Sequence, residues 1–557
     1  MGIHEFPNPF FNLNNMRKVI ILALLVLCQF GWAGGRPEAK MRRIAASKLL
    51  GNPADASKLQ ILEETSAYHI YGQADRGFVV VSTDDNAKEI LGYSTSTFDK
   101  DNLPPAFKCW LKAIEVSTID KHVNTNYTVV PNFLTTTWGQ SDPYNALCPK
   151  INEEDTPTGC VATAMAQIMY YYKFPAQGKG SGYYTLGDNK TARLSGAINS
   201  VYEWDKMYDD YSTISITDEI RKPIATLMKD AGLGAHMNYN VGGSGTSEYD
   251  AAASLTKNFS YAANHIRIIQ KDYYTAEEYS SIIYNELAEH HPILATGTDS
   301  YEGGHAFVFS GVDENGLVYV NWGWNGDADG YYEITNLSPR ESIETYSLYN
   351  SIICGIVPGT GDPSESVYGS QWAIDEYDTG QGEKYDTFKI EPWESFDYMD
   401  VSIGFILNVS PFPFKGKVYL CFESTDGDQS KNTSYTIFDT TEDEMQPAYG
   451  WIGVTRGLWA SDVKLKTGKY YVYIASQNEY ETTPTEARGP GGFFRYLLTY
   501  EKGVITVEKY TPTGIQAIHQ EQQAAANAWY TIDGQRLNAE PTQRGIYIHD
   551  GKKVVIK

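Results

Sequence analysis

The stretch "TPTGCVATAMAQIMYYYKFP", Thr156 to Pro175, sets a cysteine directly after a glycine and at the threshold of a strong helical run. From Val161 onward the residues are tolerable or good helix formers, and Pro175 is a stop. Thr158 and Gly159 read as a turn feeding the first helical turn. The thiol of Cys160 is therefore expected at a helix N-terminus, where unpaired N–H groups and the positive end of the dipole favour an anion. A thiolate is such an anion, and it is the reactive form of cysteine. The competing reading is a buried cysteine that fills space, since free cysteine is among the most buried residue types.

The surroundings of that helix bound the choice. At 557 residues the chain has room for about three or four domains. Its net charge of −24 argues against nucleic acid or an anionic membrane as a partner. The 42 tyrosines and 49 glycines suit a β-rich protein with many turns. "MRKVIILALLVLCQFGWAGG" starts at Met16 with a basic n-region, an apolar h-region to Leu27 and a small-x-small site ending at Ala33. Residues 1–33 are read as a signal region with the true start at Met16, which predicts export to the cell surface or medium. The apolar run is too short for a membrane span. Past the signal five cysteines remain (Cys109, Cys148, Cys160, Cys354 and Cys421), an odd count that leaves at least one thiol unpaired. No CxxC pair or Cys/His cluster supports zinc, and no cofactor is expected.

Residues 34–128 form a first unit. A hairpin is expected from Ala67–Tyr71 and Phe78–Ser82, and a helix after Pro105. The segment "KHVNTNYTVVPNF" lacks periodicity and reads as an exposed connection. Residues 129–358 run from helices to strands, an α+β pattern. One helix is expected with a Thr217 cap and Gly232 as its stop, a second in "TAEEYSSIIYNELAEHHPI", and then the strands "PILATG", "HAFVFSGVD", "LVYVNWGW" and "GYYEIT". After the linker "GIVPGTGDPSES", residues 364–510 show only strand-like runs and read as a β-sandwich. A polar spacer, Ile515–Ala528, leads to a hairpin at Asp550-Gly551 within a terminal unit, 511–557.

A cysteine nucleophile needs a base, an oxyanion donor and a group that orients the base. Of ten histidines, His290 and His291 sit at a helix end and read as dipole partners. His305 follows Gly303-Gly304 at the mouth of an apolar strand, which holds a side chain well and leaves room for a substrate backbone. "NGDADG" mimics half of a calcium loop, but position twelve is Asn336 rather than glutamate, so a hairpin turn is expected.

Together "TTTWGQSDPYN", "TGCVATAMAQIMYYYKFP", "GGHAFVFSGV" and "VYVNWGWNGDADGYYEI" closely resemble the streptopain family of papain-like cysteine peptidases. The resemblance covers the first unit and the 129–358 domain. It implies Cys160 as nucleophile, His305 as general base and acid, and Gln140 as an oxyanion-hole donor. It also implies Trp322 and Trp324 as tryptophans lining the histidine, with Asn321 a further candidate to orient it. It implies that 34–128 is an inhibitory propeptide blocking the cleft, that "NVGGSGTSEYD" borders the cleft, and that the residue two before the cut bond is hydrophobic. The tail resembles the sorting modules of exported Bacteroidetes proteins. The expected fold is thus α+β: a papain-like peptidase domain between an α+β propeptide and a β-sandwich, ending in a small β module. The expected function is a secreted cysteine endopeptidase made as a zymogen, acting on proteins or peptides. The alternatives are a surface adhesin with a degenerate peptidase domain, and a cysteine acyltransferase with an amine acceptor in place of water.

Overall fold

Residues 35–119, 126–187, 193–299, 303–334, 337–339, 346–362, 371–379 and 382–510 are described by a computed structural model. Four short strand segments, 529–531, 536–537, 545–549 and 552–556, complete it. The signal region, the spacer and the Asp550-Gly551 turn lie outside the described residues.

The first unit opens with α1 (Glu38–Leu50), whose last turn ends in Gly51 at φ 73°. Four antiparallel strands follow: β1 (Gln60–Glu64), β2 (Tyr68–Gln73), β3 (Gly77–Ser82) and β4 (Ile90–Ser94). The expected hairpin is the β2–β3 pair. Helix α2 (Pro105–Val116) starts at Pro105 itself, one residue earlier than the sequence predicts.

The second unit holds α3 (Cys160–Tyr172), α4 (Asp218–Gly234), α5 (Glu248–Lys257) and α6 (Ala276–Ala288). Its main strands are β5 (Arg267–Gln270), β6 (Ile293–Asp299), β7 (Gly303–Val312), β8 (Val318–Asn321), β9 (Gly330–Tyr332) and β10 (Tyr346–Cys354). Helix α6 begins with a capping box between Thr275 and Glu278. Helix α4 corrects two expectations. Thr217 sits at its N-cap without a side-chain bond, and the helix runs through Gly232 to Gly234. Gly232 serves packing instead: a Cβ there would fall 2.1 Å from the Tyr239 hydroxyl.

The two units share one ten-stranded sheet, ordered β1-β2-β3-β4-β9-β8-β7-β6-β10-β5. The sequence reading separates them, because no local pattern reveals that β4 pairs with β9 some 240 residues later. The join is close. Gly92 faces Tyr332 and Ser94 faces Gly330. A Cβ on Gly92 would fall 2.3 Å from the Tyr332 ring, and one on Gly330 2.2 Å from the Tyr93 carbonyl oxygen. Across it the Glu333 N–H donates to the Leu91 carbonyl at 2.7 Å and the Trp110 indole to the Glu333 carbonyl at 2.8 Å.

Each face of the sheet is covered. On one, Ala306, Val308, Leu294 and Ile353 pack with α3, α4 and α5 in one core. On the other, Phe307, Phe309 and Val320 pack with α6 and with Phe107, Trp110 and Ile114 of α2. The first unit thus supplies part of the second unit's core.

From residue 371 the chain is β. One six-stranded sheet is built on Tyr398–Asn408 and another on Gly416–Ser424 and Gly468–Asn478. Their apolar faces form a single core that includes Ile374, Ile406, Leu420 and Val472. At the end, Gly545–His549 pairs antiparallel with Lys552–Ile556.

The turn "NGDADG" joins β8 to β9, and Asp329 lies buried under the first unit. Its carboxylate accepts the Trp322 N–H at 2.8 Å, and its carbonyl accepts the Ser94 hydroxyl at 2.6 Å. Burial pushes the Asp329 carboxyl up to about 8. An unfolded aspartate titrates near ~3.9. Between these values the folded chain binds more protons than the unfolded one, so this group's contribution to stability falls as pH rises. Asp329→Asn keeps the acceptor and removes the charge. The variant is expected to gain stability relative to the parent as pH goes from about 4 to about 8, in thermal unfolding of the intact chain followed across that range.

Candidate active site

Cys160 is the first residue of α3, and Gly159 precedes it at φ 87°. The glycine answers to two demands. That backbone conformation suits glycine, and a Cβ would fall 2.8 Å from Met237 and 2.9 Å from the Ser244 carbonyl oxygen. The entry to the helix is tied down by hydroxyls. Thr158 and Thr163 bond each other at 2.8 Å, and Thr163 donates to the Gly159 carbonyl at 3.1 Å. Every residue of α3 from Val161 to Tyr170 is buried, so the helix reaches a surface only at its two ends, and the N-terminal end carries Cys160.

That end opens on a cleft of about 420 Å³ lined by Cys160 and His305 together. His305 lies on β7, opposite Gly297 of β6. The thiol takes the N–H of Ala306, the next residue on that strand, and the N–H groups of Val161 and of Cys160 itself. The last two are the helix-terminus donors expected from sequence. Burial nonetheless dominates and pushes the thiol up. In the intact chain the thiolate that the helix end would favour is therefore disfavoured by burial.

Gln140 reaches this region through its backbone: its carbonyl accepts the Thr158 N–H at 3.0 Å, two residues before Cys160. Asn321 is buried and committed elsewhere. Its oxygen accepts from Gln167 of α3 and from the Gly323 N–H, both at 3.0 Å, and its nitrogen donates to the Thr136 carbonyl at 2.6 Å. Thr136 closes the ring by donating to the Gln167 oxygen at 2.7 Å. This bracket ties α3, β8 and the irregular segment before Gln140 into one unit, which corrects the expectation that Asn321 is available to orient the histidine. Trp322 sits in the core on the strand face that carries Phe307, two residues from His305. Its ring packs on Phe307 at 5.2 Å, Tyr332 at 5.4 Å and Phe107 of the first unit at 5.8 Å, and its N–H donates to Ala328. It supports the strand face next to His305 from within the core. Trp324, half-buried, sits in the turn after Gly323.

The remaining walls come from residues that sequence reading named only in outline or missed. Gly245, Thr246 and Glu248 belong to "NVGGSGTSEYD", so that stretch does border the cleft. Gln270, Asp272, Thr296 and Ser351 had no local signal. Among the described residues none of the first unit lines this cleft. It packs on the sheet that carries His305. His290 and His291 follow the end of α6, as expected, and donate their backbone N–H groups to the Leu287 and Glu286 carbonyls; the His290 ring tilts against Phe133 at 5.4 Å, and His291 lies 3.2 Å from the Glu286 carboxylate.

Residues 138–332 match the peptidase C10 family, and residues 36–117 match the Spi protease inhibitor. Streptopain of Streptococcus pyogenes serotype M28 is 31% identical over 387 residues, 61% of this chain and 95% of streptopain. The chain belongs to the peptidase C10 family. This C10 peptidase is also 30% identical over 350 residues to the thiol protease/hemagglutinin PrtT of Porphyromonas gingivalis, spanning 55% of this chain and 40% of that relative's length. Prointerpain A of Prevotella intermedia, a fragment of known structure, is 38% identical, with 54% of this chain and 98% of that one covered at a TM-score of 0.48. A C10 peptidase that carries its own Spi-like inhibitor unit is a cysteine protease made as a zymogen. Among the described residues no helix is long and apolar enough to cross a membrane.

All five described cysteines are free. Burial also pushes Cys148, Cys354 and Cys421 up to about 12. Burial disfavours the Cys160 thiolate in the intact chain, and activation of the C10 zymogen is expected to change this thiol selectively. Limiting iodoacetamide at pH 6 is expected to label Cys160 slowly in the intact chain and at least about tenfold faster after activation, with the others inert in both, as read by peptide mapping.

Proposed function

We propose that the protein is an exported endopeptidase in which Cys160 attacks the peptide carbonyl and His305 moves the proton. The observation that carries this reading is the single cleft lined by both residues, with the thiol at the buried helix's open end. Removal of the first unit lets the helix-end N–H groups and His305 stabilise the thiolate. Sulfur adds to the carbonyl carbon, and the oxyanion takes the Cys160 N–H and the Gln140 amide. His305 then protonates the departing amine, and the acyl-enzyme is released to water. Trp322, Trp324 and Asn321 act as positioning groups: the first and last by holding β7 and β8, Trp324 by bordering the turn at the histidine side.

The domain reading is part of the same proposal: signal region 1–33, inhibitory propeptide 34–128, peptidase domain 129–358, β-sandwich 364–510 and a terminal module 511–557. Two things support a cut between Ser117 and Phe133. Tyr127 and Val129 are exposed there, and exposed irregular backbone is where nicking concentrates. Ser117–Ile119 pairs with Leu337–Pro339 and Val130 with Val312, so the segment is held on both sides of the proposed site. The active form's N-terminus, read by sequencing, is expected within that window.

Casein cleavage tests the chemistry. Cys160→Ala and His305→Ala should each abolish it while leaving the fold intact, because members of one catalytic unit do not act additively. Gln140→Ala should lose about 10²–10³ in rate, as other oxyanion donors do. Near-parental activity in Cys160→Ala would refute the assignment, and transfer to an added amine in place of hydrolysis would favour an acyltransferase.

A further inference from the structure

Apart from His305, the charged side chains lining the cleft beside Cys160 are of one sign. Glu248 and Asp272 line it, and no lysine or arginine does among the described residues. We propose that these carboxylates select substrates that place a lysine or arginine side chain beside the bond being cut. This rests on the peptidase reading above.

Glu248 is the key group. It is the first residue of α5, a helix capped by Ser247, whose side chain accepts the Asp250 N–H. Its Oε1 takes the hydroxyl of Ser351 at 3.2 Å, and Ser351 in turn bonds Thr296 at 2.7 Å. Ser351 is only 2% exposed. The carboxylate is thus anchored on the floor formed by β6 and β10, half-buried, where water screens it less than at an open surface. The neighbouring polar groups do not neutralise it. Gln270 spends its amide N–H on the Tyr249 hydroxyl at 2.9 Å.

Asp272 stands on the same wall, two residues after Gln270, and that wall is braced from the β-rich part of the chain. The Gly491 N–H donates to the Asp272 carbonyl at 2.7 Å. Arg488 donates to the Tyr273 carbonyl at 2.9 Å and pairs with Glu278 at 2.8 Å. Lys271, the nearest cation in sequence, lies toward the Tyr279 ring of α6, 5.9 Å from its centroid. The wall is therefore braced from outside the cleft, Asp272 shares its field with the buried Lys271, and Glu248 is the main carboxylate facing the cleft.

The chemistry fits a long basic side chain. Val161, 4% exposed, borders the same cleft and offers an apolar surface for the alkyl stem, while the cationic head reaches Glu248. An arginine would meet the carboxylate through charge-assisted hydrogen bonds. An acidic substrate side chain would be repelled.

The test uses the activated enzyme and internally quenched peptides that differ at one position at a time, with Arg, Leu or Glu at each of the three residues on either side of the cut. At one position Arg is expected to exceed Leu in kcat/KM by about tenfold or more, with Glu the poorest, since one well-placed charged contact is worth about a factor of ten. The Arg/Leu ratio should shrink as ionic strength rises. Glu248→Gln should lower that ratio about tenfold, Asp272→Asn should lower it less, and Glu248→Lys should turn the preference toward Glu. Cleavage of the Leu peptides with an Arg/Leu ratio near one at every position would overturn this inference and leave the peptidase reading standing. So would an Arg preference that survives in both Glu248 variants. Failure to cleave any peptide would overturn both.

Discussion

Helix α3 is buried on all sides from Val161 to Tyr170, and that burial decides where the Cys160 thiol can be. A helix without a solvent face cannot rotate or slide without opening cavities, and each lost methyl(ene) contact in such a core is costly. Its N-terminal end opens on the cleft and presents Cys160 there. Gly159, the Thr158–Thr163 pair and the Gln167–Asn321–Thr136 ring then set the angle of that end to within the tolerance of hydrogen bonds. The same burial that positions the thiol also disfavours its ionisation, so positioning and activation oppose one another until the surroundings change.

The surroundings include the first unit. Latency in this chain is bound up with sheet continuity: β4 extends the catalytic sheet at β9, and α2 fills the opposite face with Phe107 and Trp110. Losing these elements uncovers an edge strand and the rings of Trp322 and Tyr332, an apolar surface that must be re-covered or repacked. Strand β7 carries Phe307 into that core and His305 to the cleft two residues away. A change behind the sheet is therefore felt at the histidine through one short, continuous stretch of strand.

The β-rich part beyond residue 371 is coupled to the cleft by a smaller contact. Arg488 stacks 3.9 Å from the Tyr274 ring centroid while bonding Tyr273 and Glu278, and Gly491 holds Asp272. These contacts fall on a short turn that carries cleft residues. A module outside the peptidase homology thus helps shape the wall that substrates meet.

Much of this was legible in the residues themselves. The helix that begins at Cys160, the strand that begins near His305, the β2–β3 hairpin and the capped helix α6 all follow from local propensity and turn chemistry. Such signals are carried by neighbours in sequence, and sequence displays them directly. Other features were decided only by the tertiary structure. What covers Trp322 on that face of the sheet is Phe107, more than two hundred residues away. Asn321 has the right chemistry to orient a histidine, but Gln167 and Thr136 already claim its amide. Glu248 and Asp272 look like ordinary acids on a helix and a turn until α5, β5 and β10 bring them beside Cys160. Local sequence determines which elements form. The contacts that close long loops determine which side chains meet, because they depend on shape and burial across the whole fold and leave no periodic trace in any one segment.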